Sequence, residues 1–352
     1  MKPLQLGLPL DLANEGEVKA FLAAQERIQK LTDGLGTPSE VSAFAFYTPF
    51  LMKEERRGQQ LANQKKYKLP IIHMQTPVQM ENSLVCDAEM QERFGKQSLL
   101  ETTITHVARL REHCPGVPCS ADTHVGVFVI EGGAGNSGLS SIYSPEEFSL
   151  NKTKLLETAR QRFASLEKLA AGYNMPMLLE TVPPVVMIPD YRGGDPVLQY
   201  LPFSGILDTK RIGNGSVTLD VAHWAGARGT QKQFQDNNVD PSLLFSVTGV
   251  NSWEEYLMAM GSFEEYLTSS RALHLSNTNG IGVKLNKYPE LAKRWGDWGT
   301  DDGLLSKDEL QRCVANAREH SLPVMIEVDY DIKRIAENKY AEADSFLRYV
   351  LG

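Results

Sequence analysis

The chain has 352 residues, a formal net charge of −8, 42% hydrophobic residues and 23% charged ones. This acidic balance argues against a protein whose main partner is nucleic acid or an anionic membrane, though not against a local basic groove. No run reaches the ~18 consecutive apolar residues of a membrane span, and residues 1–10, with one Lys, Gly7 and two prolines, do not make a signal peptide. Cys86, Cys114, Cys119 and Cys313 form no CxxC pair, so they read as reduced structural thiols of a cytosolic protein.

Short β-branched or apolar runs alternate with longer stretches of helical spacing. Strands are expected near residues 4–8, 41–47, 69–74, 117–123, 175–180, 216–221, 272–275 and 324–328. Leu100, Ile104, Val107 and Ala108 share a helix face before the fourth run. Leu155, Leu156, Ala159, Phe163, Leu166 and Leu169 share one before the fifth, and Gly172 ends that helix as a C-cap. Capping boxes mark helix starts at Ser144 with Glu147, Ser252 with Glu255 and Ser306 with Glu309, and Pro145 takes a first helical position. Strand–helix alternation implies parallel strands with helical crossovers, and eight of them imply a closed barrel. The expected architecture is α/β, a single (β/α)8 TIM barrel over residues 1–352. Polar, Gly-rich loops are expected at 125–143, 182–215 and 224–240. Each follows a strand, where a barrel builds its catalytic face.

Seven histidines are present. His106, His113 and His320 fall on expected helices and read as solvated. His73, His124, His223 and His274 all fall at or just past expected strand ends, and Glu180, Asp220 and Glu327 join them in that register. A carboxylate at the mouth of an apolar strand is costly unless something neutralises it, and a divalent cation does so. Mixed imidazole and carboxylate suits Zn, Mn, Fe or Co. For any one of these histidines the bland alternative is a hydrogen-bonded barrel residue. The set of Glu, Asp, His and Glu on four successive strands favours the metal.

Leu178-Leu179-Glu180, Leu219-Asp220-x-x-His223, His274-Leu275 and Ile326-Glu327 resemble the metal-binding strand ends of the xylose isomerase-like TIM-barrel superfamily. The likeness covers most of the chain in layout and only short motifs in detail. It implies Glu180, Asp220, His274 and Glu327 as ligands of a catalytic divalent metal, with one to three ions per chain. Three branches are similar. Likeness to the sugar isomerases and epimerases implies that His223 touches substrate and that Glu180 and Glu327 also move the substrate proton. The endonuclease IV-like zinc enzymes are similar through His73 and His124, but their Asp-x-His after the seventh strand is not found; Asp301-Asp302-Gly303 is the nearest segment. The multinuclear non-haem iron oxidases are similar around Glu180 and Glu327 and loosely at Asp122-Thr123-His124. Their second histidine is absent from Ser276-Asn277-Thr278-Asn279-Gly280.

The four-residue core serves all three branches. The absent histidines count against a three-metal site. The favoured expectation is isomerase or epimerase-type proton transfer on a small polyhydroxylated or hydroxy-carbonyl substrate, with the iron oxidase second and the multi-zinc phosphoesterase third. His73, His124, His223 and Asp302 are candidates for a second metal or for substrate. Trp224 and Asn277 are candidates for substrate contact, with packing under a loop as the bland alternative for Trp224. A barrel that binds metal without catalysis belongs to another class. Glu180, Glu327, His223 and Lys284, all able to move protons, count against it. Substrate, metal identity and oligomeric state are not written in the sequence.

Overall fold

The computed structural model describes residues 2–46, 52–76, 84–95, 98–130, 142–188, 197–278, 303–327 and 337–352. Its strands in chain order are β1 (Leu4–Leu10), β2 (Ser39–Phe46), β3 (Ile71–Gln75), β4 (Ser120–Thr123), β5 (Phe128–Ile130), β6 (Ile142–Tyr143), β7 (Met177–Glu180), β8 (Val185–Ile188), β9 (Val197–Tyr200), β10 (Val217–Asp220), β11 (Ser270–Leu275) and β12 (Pro323–Ile326). Eight of them close into one parallel barrel, ordered β1-β12-β11-β10-β7-β4-β3-β2. These are the eight runs expected from the sequence. The fourth is shorter than expected and begins only at Ser120.

Side chains alternate across a strand with a period of two, and this sorts the barrel residues into two sets. Leu6, Leu8, Val41, Met74, Leu179, Leu219, Leu273 and Val324 point outward into the large core shared with the helices. Phe44, Leu178, Ala272 and Met325 form a separate small cluster inside the barrel. Gly7 completes it: a Cβ there would sit 3.2 Å from both Met325 Cγ and Phe44 Cβ, so the interior is filled to the backbone of β1. Two residues further along the same inward faces come Glu180, His274 and Glu327. The interior is therefore an apolar plug with a polar layer on its C-terminal side.

Helices cover the outside. The 27-residue helix Pro145–Ala171 starts in a full capping box of Ser144 and Glu147 and buries Leu155, Ala159, Phe163 and Leu166 on one stripe. Leu155, Phe163 and Leu166 each contribute about 1.5–3 kcal/mol. Gly172 caps its end with φ −60°, a right-handed conformation, so the left-handed freedom of glycine is not what stops this helix. Ser306 and Glu309 form the expected box ahead of the helix Lys307–His320. Ser252 caps the helix Trp253–Met260, but the Glu255 carboxylate takes the Asn251 N–H instead of closing the box. A further box at Ser262 and Glu265, unforeseen, starts the helix Phe263–Ser269.

The three long segments expected as loops need correction. Residues 125–143 and 182–215 contribute a second sheet, ordered β6-β5-β9-β8, and the helix Ile206–Ile212. Strands of two to four residues are too short to show a period in the sequence. Residues 224–240 lie mostly in the helix Val221–Asp236. Its polar, glycine-bearing sequence hides an apolar stripe of Trp224, Ala227 and Phe234. Gly229 lets that helix approach Leu304, whose Cδ1 would lie 2.8 Å from a Cβ at this position.

Candidate metal centre

The C-terminal ends of β7, β10, β11 and β12 bring Glu180, Asp220, His274 and Glu327 together. Register explains how. Asp220 pairs with His274 across β10 and β11, and His274 pairs with Met325 across β11 and β12. The Glu327 N–H then continues that ladder to the Leu275 carbonyl at 3.2 Å. His274 Nδ1 lies 3.0 Å from Glu327 Oε1 and 3.3 Å from Glu180 Oε1. Asp220, His274 and Glu327 offer ligand atoms within 4.8 Å of one another, as do Glu180, Asp220 and His223.

Glu180, Asp220 and His274 are fully buried, whereas Glu327, His223 and His124 remain 23%, 18% and 16% open at the mouth. Those three side chains mark the open side of the cluster. His124 Nε2 stands 2.7 Å from Glu180 Oε2, which also accepts a 2.5 Å bond from Gln75 Nε2. His223 follows from the local fold. Asp220 is the N-cap of the helix Val221–Asp236, and its Oδ1 accepts the His223 N–H at 2.9 Å. The His223 ring then donates from Nδ1 to the Thr181 carbonyl at 2.7 Å, which fixes the orientation of the imidazole.

The charges are in tension. Burial pushes the Asp220 carboxyl up to about 7; Glu327 and Glu180 add to this and His223 opposes it. Burial would also raise Glu180, but the His124 and His274 imidazoles hold it well below the usual carboxylate range. Burial works against protonated His274, yet Glu327, Glu180 and Asp122 around it raise its pKa well above that of free imidazole. Three carboxylates thus compete for few cationic partners in a buried space. His274 Nδ1 is buried and, among the described residues, makes no aligned hydrogen bond despite its two close carboxylate oxygens. A mixed imidazole and carboxylate set with an unsatisfied nitrogen at its centre fits a divalent ion.

His73, a candidate for a second metal or for substrate, lies below this cluster and is completely buried. It meets Asp122 and Ser120, and its atoms come within 4.8 Å of those of Asp122 and His274. Asp122 was not singled out from the sequence. Its inward register with Ser120, one residue before Thr123-His124, was the available signal. Trp224, a candidate for substrate contact, is buried, packs tilted against Phe263 with ring centroids 4.9 Å apart and sends its N–H toward the Gly261 carbonyl. Asn277, the other candidate, is buried too. Its buried amide is spent on the backbone N–H and carbonyl of Leu305, both at 3.0 Å. His106, expected in solvent, is buried against Gln60. Lys284 and Asp302 lie outside the described residues.

No protein-family model matches the chain, and no curated protein matches it. Solved structures do share its fold. A D-psicose 3-epimerase crystallised with D-fructose aligns over 99% of this chain and 100% of its own, with 13% identity and a TM-score of 0.50. A D-tagatose 3-epimerase-like protein aligns over 99% and 98%, with 13% identity and a TM-score of 0.49. A xylose isomerase domain protein from Planctomyces limnophilus aligns over 99% and 98%, with 11% identity and a TM-score of 0.48. The alignment with the first of these shows a shared fold, the closed eight-stranded parallel barrel described above.

Proposed function

We propose that the protein is a divalent-metal-dependent isomerase or epimerase acting on a small polyhydroxylated or hydroxy-carbonyl substrate. The observation that carries this reading is the convergence of Glu180, Asp220, His274 and Glu327 around one unsatisfied buried nitrogen at the barrel mouth. Those four residues would hold the ion. When bound, such an ion draws electron density from a carbonyl and a neighbouring hydroxyl and so acidifies the intervening C–H.

The chain's own groups supply the rest. Glu180 and Glu327 both contact His274, which places two carboxylates at one reaction centre. One removes the proton from the carbon beside the carbonyl, and one returns it. Gln75 and His124 hold Glu180 in place through the same oxygen. His223, its ring fixed by Thr181 and partly open at the mouth, contacts the substrate.

The test is a panel of ketoses and hydroxy-ketones incubated in D2O with Mn2+, Co2+ or Zn2+. The reading expects deuterium at the carbon beside the carbonyl. Glu180→Gln and Glu327→Gln should lower that exchange by about 10²–10⁴-fold with the far-UV circular dichroism unchanged. Full exchange in either variant would remove these residues from the mechanism. Oxygen uptake by iron-loaded protein in place of exchange would replace the isomerase with an oxidase.

A further inference from the structure

Behind His274 lies a second polar group that the reaction does not touch. Asp122 Oδ2 stands 2.9 Å from His73 Nε2 and 3.2 Å from His274 Nε2. The two Nε2 atoms are 3.4 Å apart because they converge on that one oxygen. On its far side, His73 Nδ1 meets the Ser120 hydroxyl at 2.6 Å. Asp122, His73 and His274 have no exposure to solvent, and Ser120 has little.

One assignment of protons satisfies the whole chain of contacts. Ser120 donates to His73 Nδ1. His73 donates from Nε2 to Asp122. His274 also donates from Nε2 to Asp122. With an ion bound at Nδ1, the His274 proton would then be fixed on Nε2 and the Nδ1 lone pair turned toward the side of Glu180 and Glu327. Phe44 packs against both rings, with centroids 5.6 Å and 5.3 Å away, and so limits their rotation.

We propose that Asp122, braced by His73, is a positioning residue that sets the tautomer and aim of His274. This inference rests on the metal reading above. A carboxylate behind a ligating imidazole orients the ring and makes it more basic, and its loss commonly costs 10–100-fold in metal affinity. A second ion held by His73, Asp122 and His274 is the competing use of the same atoms. It would require His274 to give up its Nε2 proton and bridge two ions.

The experiment is direct titration of Zn2+ and Co2+ into wild type, Asp122→Val and Asp122→Asn. Val removes the acceptor with a shorter branched side chain, whereas Asn keeps the shape of Asp122 and one acceptor oxygen. The expected result is one ion per chain in all three, a 10–100-fold weaker affinity in Asp122→Val, and recovery of part of that loss in Asp122→Asn. Equal affinity in all three would overturn the inference while leaving the metal site standing. Two ions in wild type and one in Asp122→Val would overturn it by making Asp122 a ligand. No binding to wild type would remove the metal reading and this inference together. If Asp122→Val does not fold, nitrogen-15 spectra of Zn2+-loaded wild type decide the point. The inference requires the His274 proton on Nε2, and a proton on Nδ1 contradicts it.

Discussion

His106 sits on the helix Leu99–Arg111, buried, with Nε2 2.6 Å from Gln60 Oε1. Burial lowers its pKa from 6.5 to about 4, and Arg57 and Arg109 nearby push the same way. Between those two values the unfolded chain takes up a proton that the folded chain refuses. The histidine's contribution is therefore intact above pH 6.5 and is lost as pH falls toward 4, at up to about 1.4 kcal/mol per pH unit. Urea midpoints at pH 7.5 and pH 5 should differ less in His106→Gln than in wild type. An equal difference would place the acid sensitivity elsewhere. Arg162 offers a second residue-scale test. Its guanidinium grips the buried Asp87 carboxylate at 2.9 Å through Nε and 2.5 Å through a terminal nitrogen, while Ser98 and Glu101 complete the cluster. Arg162→Met leaves a buried carboxylate without its counter-charge and should cost about 3–5 kcal/mol. Adding Asp87→Asn should restore part of that. If the double variant is no better than the single, the cost comes from packing and not from charge.

At the scale of elements, the eight barrel strands were legible because each places apolar residues in a run long enough to stand out against its flanks. The candidate ligands were legible for the same reason: a charged residue ending such a run, as in Leu178-Leu179-Glu180 or Met325-Ile326-Glu327, has few inexpensive neighbours. The small sheet was not legible, since β5 and β6 have three and two residues. Asp122 was hidden by its position one residue inside the strand end, where the apolar pattern of β4 is weakest. Asn277 misled for a physical reason. An amide in an Asn/Gly-rich stretch looks available, yet here it substitutes for backbone partners between β11 and the helix Lys307–His320. Gly303 makes room for it, because a Cβ there would fall 2.0 Å from Asn277 Nδ2. Asn277→Ala should therefore lower stability by about 2–4 kcal/mol in urea, because the Leu305 N–H and carbonyl and the Thr278 N–H all lose this amide as partner. Unchanged stability with a weakened substrate affinity would return Asn277 to the binding site.

At the scale of the molecule, the fold and the proposed metal site are separable. The barrel closes through eight parallel strand pairings and an extensive buried core that does not include the ligand cluster. Among the described residues no helix is long and apolar enough to cross a membrane. Chelation should leave the far-UV circular dichroism unchanged and lower the melting temperature. Re-addition of ion at a hundred times its Kd should restore about 2.7 kcal/mol. Global unfolding on chelation would mean that the ion helps to build the barrel. The most direct test of the central claim is the number of metal ions per chain in protein purified without added metal or chelator, measured by elemental analysis for wild type and Glu180→Gln. The account predicts one divalent ion per wild-type chain and a marked loss in the variant. A metal-free wild type, or an equal metal content in both proteins, would contradict it.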